Sequence, residues 1–526
     1  MGARNNSEAA IARADSRAQA DIFGTWRERT RQIDWIPWLI VALGAFLRLL
    51  FLAMKPPHFD EGINGWFVDQ MTKNGFYRYD PTNYHGPLHF YILFLSEALL
   101  GRNLWALRLP VVIGSIFCLR LTFKFEPFVG RDVTRWAALA MAVSPGFVFY
   151  GRYAIHEVWL LLFSMLFTLG LLGLWRKGTA TYLWCVVLGA SGMVLTKETY
   201  IIHVGCAVIA AFVTWLSHRL TKVPDATRVR QTWTYLDLAV AVAVGLAAII
   251  FFYSGTFFNW GGLKGLYQTF DAWFKTGQNG NGHEKPPYYW LRLIGRYELP
   301  VALGLIACAG CQLFRNLSLR FLAIYGVGVL AAYSIVRYKT PWCIISVVWP
   351  FLFLFGAATL LLPSAFRRIG NVVLGLVVLV SLGLSISLNY FRCTTDTEPY
   401  VYVQTYNDIY KLTKPVLELA RRDPVFYQLT GHFIRTSAYP LPWIFGDFPR
   451  IGYYEHSNLP EKLDADFLLV QEDRIAEVEP KLHGSYYTTP LTIRPYQDTS
   501  KLYLNAKVFS RFFHGHVPDF AGKGAP

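Results

Sequence analysis

The sequence predicts an α-helical polytopic membrane protein with about 11 transmembrane helices and a small soluble α/β domain at its C-terminal end. Hydrophobic residues make up 53% of the 526 residues and charged residues 16%, which is too apolar for one ordinary soluble domain. The apolar residues gather in runs of about 20 residues, the length that crosses a bilayer. After residue 390 these runs stop, and Pro, Asp and His become frequent.

The net charge of +15 indicates membrane topology and not a nucleic-acid partner. Lys and Arg occur as short clusters between the apolar runs and form no continuous basic stripe. Residues 1–33 form a polar tail that ends in the basic run TWRERTRQ, so the positive-inside rule places this tail in the cytoplasm. The tail has no apolar core, and we expect no cleavable signal peptide; the first span itself then directs insertion.

The membrane domain is predicted to cover residues 34–390. Its predicted spans are 35–54, 108–125, 134–151, 156–175, 180–196, 200–217, 234–253, 298–314, 319–336, 341–362 and 370–390. Every connection expected to be cytoplasmic is basic, through Lys124, Arg131, Arg135, Arg176, Lys177, Arg219, Lys222, Arg228, Arg230, Arg315, Arg320, Arg367 and Arg368. The odd number of crossings places residues 391–526 on the extracytoplasmic side, together with the long outer loops 55–107 and 254–297. We expect a plasma (inner) membrane location.

The first outer loop contains two predicted interfacial helices. Asp60 and Glu61 precede an apolar stripe at helical spacing, which indicates an amphipathic helix lying at the membrane surface. An equally simple reading is that Asp60 caps this helix and Glu61 favours its N-terminal dipole. Pro87–Leu100 is apolar but too short to cross, and Pro87 suits the first turn of a second interfacial or re-entrant helix.

The tail 391–526 predicts an α/β domain of about 130 residues. VFYQL, RIGYY and DFLLVQ are typical of strands, and RIAEVEPKL is typical of a helix. The seven cysteines predict no disulfide framework, because all but Cys393 fall in or beside apolar runs. Cys308 and Cys311 indicate small-residue packing more than a metal or redox site.

Polar groups outside the basic clusters collect at the outer ends of the spans. They are Asp60, Glu61, His85 and His89; Arg152, His156 and Glu157; Lys197 and Glu198; His283, Glu284 and Lys285; and Arg337 and Lys339. Ionisable residues at membrane depth are costly and usually mark a pathway or a site. Five outer ends that carry such residues predict convergence on one cavity.

Each group also has a structural explanation. Arg152 and Glu157 suit an ion pair in a turn, and Lys197 with Glu198 suits snorkelling to the headgroups. Arg337 and Lys339 suit contact with lipid phosphates, although cations are less expected on the outer side. His85 and His89 have a spacing that could hold a metal on a helix face, and the Gly-Pro between them favours another role.

Together the groups predict a site that acts on a lipid-linked phosphate. Cations could hold the phosphate while a carboxylate acts on a neighbouring group. No P-loop or Rossmann motif accompanies them, which fits a site outside the cell where nucleotide-activated donors are absent.

The motifs FDEG, YRYDPTNYHGPLHFY, YGRYAIHE, LTKE, HEKPPYYW, RYKTPW and EPYVYVQT resemble the GT-C superfamily of integral-membrane glycosyltransferases. The resemblance covers about residues 35–410 and is closest to the flippase-activity-associated proteins, relatives of the protein O-mannosyltransferases and the lipid A aminoarabinose transferase. It implies a GT-C fold and inverting transfer of a sugar (hexosyl or pentosyl) from a polyprenyl-phosphate or polyprenyl-diphosphate donor to an acceptor glycan, lipid or protein.

The resemblance also implies roles for single residues. Asp60 matches the general base, with Glu61 beside it; Arg152, Lys197, Arg337 and Lys339 match donor-phosphate positions; and His85, Glu157, Glu198, His283, Glu284 and Lys285 match supporting positions. The first outer loop lacks a clear Asp-X-Asp, so we expect no metal and no other cofactor.

Two other functions remain open at the level of sequence. A non-catalytic protein that binds or helps transport polyprenyl-linked glycans would need the cations but not the carboxylate. A secondary transporter is disfavoured, because the acidic groups cluster at one face and no paired, Gly-broken spans occur in two halves.

Overall fold

The computed structural model describes residues 34–83, 85–221, 231–279, 282–455 and 458–523. The predicted cytoplasmic tail 1–33 and the predicted loop residues Lys222, Arg228 and Arg230 lie outside the described residues.

The membrane domain is built almost entirely from helices, which we number in chain order. They are α1 (Ile36–Leu49), α2 (Phe59–Asn74), α3 (Leu88–Leu100), α4 (Leu104–Thr122), α5 (Arg131–Val143), α6 (Pro145–Tyr150), α7 (Glu157–Arg176), α8 (Ala180–Val194), α9 (Tyr200–Thr221), α10 (Tyr235–Tyr253), α11 (Gly262–Asn279), α12 (Tyr289–Tyr297), α13 (Leu299–Cys308), α14 (Leu317–Ile335), α15 (Ile344–Ala357) and α16 (Arg367–Ile386). A short helix, Glu126–Val129, lies between α4 and α5.

Within the described residues, seven helical segments are long and apolar enough to cross a membrane, and each matches a predicted span. The predicted spans 35–54, 180–196 and 298–314 correspond to the shorter apolar helices α1, α8 and α13. The predicted span 134–151 is wrong as one helix, because the chain turns at Ser144 and Pro145 and divides it into α5 and α6. The protein is a multi-pass membrane protein, and the count of eleven crossings stays a prediction.

Both helices predicted for the first outer loop are present as α2 and α3, and their position at the membrane surface stays a prediction. His58, and not Asp60, caps α2: its ring accepts a hydrogen bond from the Asp60 amide, and the Glu61 side chain accepts one from the His58 amide. Pro87 directly precedes α3, as its position in the sequence indicates.

The C-terminal domain is an α/β domain around one six-stranded sheet in the order β2-β1-β3-β5-β4-β6. The strands are β1 (Gly431–Ile434), β2 (Ile451–Tyr453), β3 (Phe467–Gln471), β4 (Ser485–Leu491), β5 (Ser500–Asn505) and β6 (Phe520–Ala521). β1 pairs in parallel with β2 and β3, and the remaining pairs are antiparallel.

Apolar side chains cover both faces of this sheet. Alternate residues of β3 point to opposite sides, with Phe467 and Leu469 in one buried cluster and Leu468 and Val470 in another. The helices of the domain are α17 (Tyr410–Arg422), α18 (Leu441–Ile444), α19 (Ile475–Val478) and α20 (Ala506–Phe509). α17 packs on the first side and α19 on the second.

The C-terminal domain sits directly on α2 of the membrane domain. Pro440 and Trp443 lie so close to Gly62 and Gly65 that a Cβ at either glycine would lie within 2.5 Å of them. Arg102, two residues after the end of α3, donates to Asp69 of α2 at 2.8 and 2.9 Å and forms an ion pair with Asp447 of the C-terminal domain at 3.4 Å. The C-terminal domain therefore packs against the first outer loop.

Candidate functional site

A cavity of about 430 Å³ opens where the helix ends that are predicted to be extracytoplasmic meet the C-terminal domain. Its walls come from the start of α2, the residues before α3 and α7, the turn between α8 and α9, the segment between α14 and α15, and two parts of the tail. The predicted site residues that line it are Asp60, His85, Glu157, Lys197, Glu198, His283 and Lys339. The structure therefore brings together groups that are separated by up to about 280 residues in the chain.

The adjacent carboxylates of Asp60 and Glu61 have different environments. Glu61 is fully buried away from the cavity, where both of its oxygens accept hydrogen bonds from Arg108 at 2.8 and 2.6 Å. Its oxygens also accept from the amides of Ala154 and His58. Burial raises the pKa of Glu61, but the Arg108 guanidinium more than reverses this and holds the pKa at about 2. Glu61 is a fixed anion that joins α2 to α4.

Asp60 lies on the other side of the same helical turn and faces the cavity. Within the described residues, its carboxylate makes no hydrogen bond and no ion pair. One cation and one imidazole lie within electrostatic range of it: burial lowers the pKa of His283 and of Arg494, and the charge of Asp60 opposes that shift in both. Asp60 is thus an accessible carboxylate that can accept a proton from a bound molecule.

Lys197 reaches the cavity from the turn between α8 and α9. Its ammonium donates to Glu157, at the start of α7, and lies 3.6 Å from the Cys343 sulfur. Burial lowers the pKa of Lys197, but the negative neighbours, Glu157 among them, raise it well above its usual value. The Lys197 charge is therefore balanced within the wall.

The HGP turn fixes this wall through the backbone. The Gly86 amide donates to the Thr196 carbonyl and the Leu88 amide to the Leu195 carbonyl, both at 3.0 Å. A Cβ on Gly86 would lie 2.3 Å from the Leu195 carbonyl, so the two chains can approach only because this residue is glycine.

Histidines occupy the same wall. His85 Nδ1 lies 3.1 Å from a Glu198 oxygen, and the rings of His85 and His89 both contact His156. His89 is fully buried and accepts from Trp159, so it does not reach the cavity. The described residues contain no group of three or more His, Cys, Asp or Glu side chains arranged to hold a metal ion.

Lys339 approaches the cavity from the opposite segment. Its amide donates to the His283 carbonyl at 3.1 Å, and the Lys285 amide donates to the Arg337 carbonyl at 3.1 Å, so 283–285 pairs with 337–339. The Lys339 ammonium donates only to the backbone carbonyls of Lys285 and Val336 and has no carboxylate partner among the described residues. Lys339 is 2% exposed, so water also does little to balance its positive charge.

Four predicted site residues beyond Glu61 lie outside the cavity. The Arg152 guanidinium donates to the carbonyls of Leu50 and Phe51 at 2.6 and 2.9 Å and lies over the Tyr390 ring, so it holds the end of α1. Arg337 lines an adjoining groove, whose walls include Trp273 and Val336 of the cavity. Glu284 forms a β-bridge with Tyr338, and the Lys285 ammonium lies over the Tyr402 ring at 5.4 Å.

Residues from the C-terminal tail complete the cavity, and the sequence analysis does not place them among the site residues. Val403 and Arg494 line it, and the Tyr402 hydroxyl hydrogen-bonds His283 at 2.5 Å. Arg108 is a second residue that the sequence does not mark as part of the site region: it forms the buried ion pair with Glu61 and lies inside an apolar run. An arginine in a predicted span is a signal for a buried acidic partner; no comparable signal marks Arg494.

Comparison with known proteins supports the fold. The family model described as Dolichyl-phosphate-mannose-protein mannosyltransferase matches residues 84–252. Among curated proteins no sequence matches.

The structure is similar to two crystal structures of ArnT from Cupriavidus metallidurans, one bound to undecaprenyl phosphate and one in the apo state. Their TM-scores are 0.57 and 0.56 at 12% and 13% sequence identity, and each comparison covers 89% of this chain and 98% of that chain. The expected GT-C fold with a small C-terminal domain is confirmed.

Proposed function

We propose that the protein is a membrane glycosyltransferase that moves a sugar from a polyprenyl-phosphate-linked donor to a hydroxyl of an acceptor lipid, glycan or protein at the extracytoplasmic membrane face. The observation that carries this proposal is the charge balance of the cavity. Glu157 and Glu198 are engaged by Lys197 and His85, whereas Asp60 and Lys339 have no charged partner within the described residues. The cavity thus offers one available carboxylate and one available ammonium.

The two available groups suit the two ends of a glycosyl transfer. The Asp60 carboxylate takes the proton of the acceptor hydroxyl as the acceptor oxygen bonds to the anomeric carbon. The bond from that carbon to the phosphate oxygen breaks with inversion, and the polyprenyl phosphate leaves with the electron pair. Lys339 then stabilises the negative charge that develops on the departing phosphate in a largely buried site.

The adjoining groove supports a lipid-linked donor. Trp273, Phe274, Ile335 and Val336 give it apolar walls, and Arg337 adds a cation. Since Trp273 and Val336 belong to both groove and cavity, a polyprenyl chain in the groove would place its phosphate near Lys339. The ArnT structure bound to undecaprenyl phosphate shows that a protein of this fold binds such a lipid.

Asp60→Asn tests the role of the base. We expect turnover to fall by about 10²- to 10⁴-fold, because the Asn amide cannot accept the proton of the acceptor hydroxyl. Binding of undecaprenyl phosphate should stay near wild type. The assay follows release of polyprenyl phosphate from a labelled polyprenyl-phosphate sugar by the purified protein. Asp132→Asn is the matched control, since Asp132 is exposed at the start of α5 and does not line the cavity.

Full turnover by Asp60→Asn would remove Asp60 from the role of base. Wild-type protein that binds the lipid and releases no polyprenyl phosphate would instead favour the non-catalytic, transport-associated function.

A further inference from the structure

We infer that Arg494 of the C-terminal domain binds an anionic group of a substrate, so that this domain supplies a ligand-binding side chain to the cavity. The inference rests on the proposed glycosyl transfer for the identity of the substrates. It goes beyond that proposal because it assigns a binding role to a domain that the transfer mechanism above does not use.

The loop between β4 and β5 carries Arg494 to the cavity. This loop covers residues 492–499, and Arg494 lines the cavity together with Asp60 and Val403. The preceding Ile493 is fully buried, and its carbonyl accepts a hydrogen bond from the Tyr406 amide at 2.7 Å. The hydroxyls of Thr492 and Thr499 hydrogen-bond across the base of the loop at 3.1 Å. Arg494 therefore projects from an anchored segment.

The Arg494 guanidinium packs against an aromatic ring, but its N–H donors have no hydrogen-bond acceptor among the described residues. It lies over the Phe59 ring at 3.8 Å from the ring centroid. Its Nε is buried without a hydrogen-bond partner, and no hydrogen bond or ion pair of its side chain is found among the described residues. By contrast, the buried Arg108 donates to Glu61 and to three backbone carbonyls. Open donors at a cavity wall are available to a ligand that accepts from them, and the buried Nε is costly to leave without an acceptor.

The shape of the group indicates the ligand chemistry. A guanidinium presents its donors in a planar fork that matches the oxygens of a phosphate or carboxylate. Asp60 is near enough to influence Arg494 electrostatically but forms no ion pair with it, so the fork stays available. The anion can belong to the donor, as its phosphate, or to the acceptor, as an acidic group close to the reacting hydroxyl.

The experiment compares wild type with Arg494→Gln, Arg494→Lys and the control Arg422→Gln. Arg422 is an exposed residue of α17 that pairs with Glu418, so its change should affect neither assay. The first assay measures binding of undecaprenyl phosphate to purified protein. The second measures transfer from a labelled polyprenyl-phosphate sugar to a membrane extract that anion exchange has separated into retained and unretained fractions.

We expect Arg494→Gln to weaken either lipid binding or sugar transfer by about 10- to 100-fold. Arg494→Lys should lie between wild type and Arg494→Gln, because lysine keeps the positive charge and lacks the planar fork of donors. Weaker binding of undecaprenyl phosphate identifies the donor phosphate. Unchanged lipid binding with reduced transfer only to the retained fraction identifies an anionic acceptor. Wild-type values for Arg494→Gln in both assays overturn the inference.

The binding assay keeps this inference separate from the proposed function. If wild-type protein binds the lipid and transfers no sugar, the proposed transfer fails, and the Arg494 variants still report on anion binding. If wild type is active and Arg494→Gln equals it in both assays, only the present inference fails. Equal thermal unfolding and size-exclusion profiles of Arg494→Gln and Arg422→Gln exclude misfolding.

Discussion

Lys339 shows at the scale of one residue how the structure distinguishes cations that the sequence treats alike. Lys197 is balanced by Glu157. Arg152 and Lys339 both donate to backbone carbonyls and to no carboxylate among the described residues, but Arg152 lies outside the cavity and Lys339 lines it. We expect Lys339→Gln to raise the donor KM and lower kcat together, with kcat/KM reduced by about 10- to 100-fold.

Steady-state kinetics with a labelled polyprenyl-phosphate sugar measure this effect. Lys264→Gln is the matched control, because Lys264 is an exposed residue of α11, the helix that contributes Trp273 to the cavity wall, and does not line the cavity itself. Kinetics identical to wild type for Lys339→Gln would mean that Lys339 only anchors its segment through the Lys285 and Val336 carbonyls.

The acidic pair marks how far sequence reasoning reaches at this scale. Asp60 and Glu61 are adjacent carboxylates that the sequence alone does not distinguish by role, and their spacing predicts only that their side chains leave a helix in different directions. Which one faces the cavity depends on Arg108, which lies 47 positions beyond Glu61 and engages it. The site region could be predicted because ionisable residues at span ends are rare, whereas the orientation of each could not.

Two short elements, 85–88 and 195–197, form one wall of the site at the scale of secondary structure. We expect Gly86→Ala to separate them, since the new Cβ would lie 2.3 Å from the Leu195 carbonyl and backbone atoms cannot move cheaply. The cost should be about 1–3 kcal/mol of stability, with a loss of turnover as His85 and Lys197 shift.

Thermal unfolding in detergent and the turnover assay test this expectation side by side. Gly205→Ala is the control, because Gly205 lies in α9 with open space around it and the change should be neutral or slightly stabilising. A Gly86→Ala protein as stable as Gly205→Ala would show that the close approach is not required.

Elements were predictable where a single period dominates. Long apolar runs follow from hydrophobic pattern, the helices α2 and α3 are confirmed, and RIGYY and DFLLVQ are confirmed as β2 and β3. VFYQL was wrong as a strand, because Asp423 caps a 3-10 helix over Pro424–Gln428. The sequence pattern does not indicate β4 and β5, because polar Thr, Lys and Asn interrupt their apolar alternation.

At the scale of the whole molecule, one seam joins the membrane domain to the C-terminal domain and sets the geometry of the cavity. The seam brings Gly62 and Gly65 of α2 against Pro440 and Trp443, and the Trp443 indole donates to Glu97 of α3 at 3.2 Å. Asp60 lies in the first turn of α2 on one side of this seam, and the domain on the other side carries Arg494. The sequence predicted both domains but not their contact, because a seam between domains leaves no periodic signal.

Gly65→Ala tests whether this seam controls the reaction. A Cβ at Gly65 would lie 2.3 Å from the Trp443 ring, so the ring must move, and with it the C-terminal domain that positions Arg494 over Phe59. We expect turnover to fall about tenfold or more and proteolysis to increase in the segment 391–409, while the C-terminal domain remains folded on its own core. The double variant Gly65→Ala/Trp443→Leu removes the large ring and should recover part of the turnover, which general destabilisation would not permit. Gly295→Ala, at a helical glycine with open surroundings, is the control. Wild-type turnover by Gly65→Ala would show that the two domains need not be held in this register for the reaction.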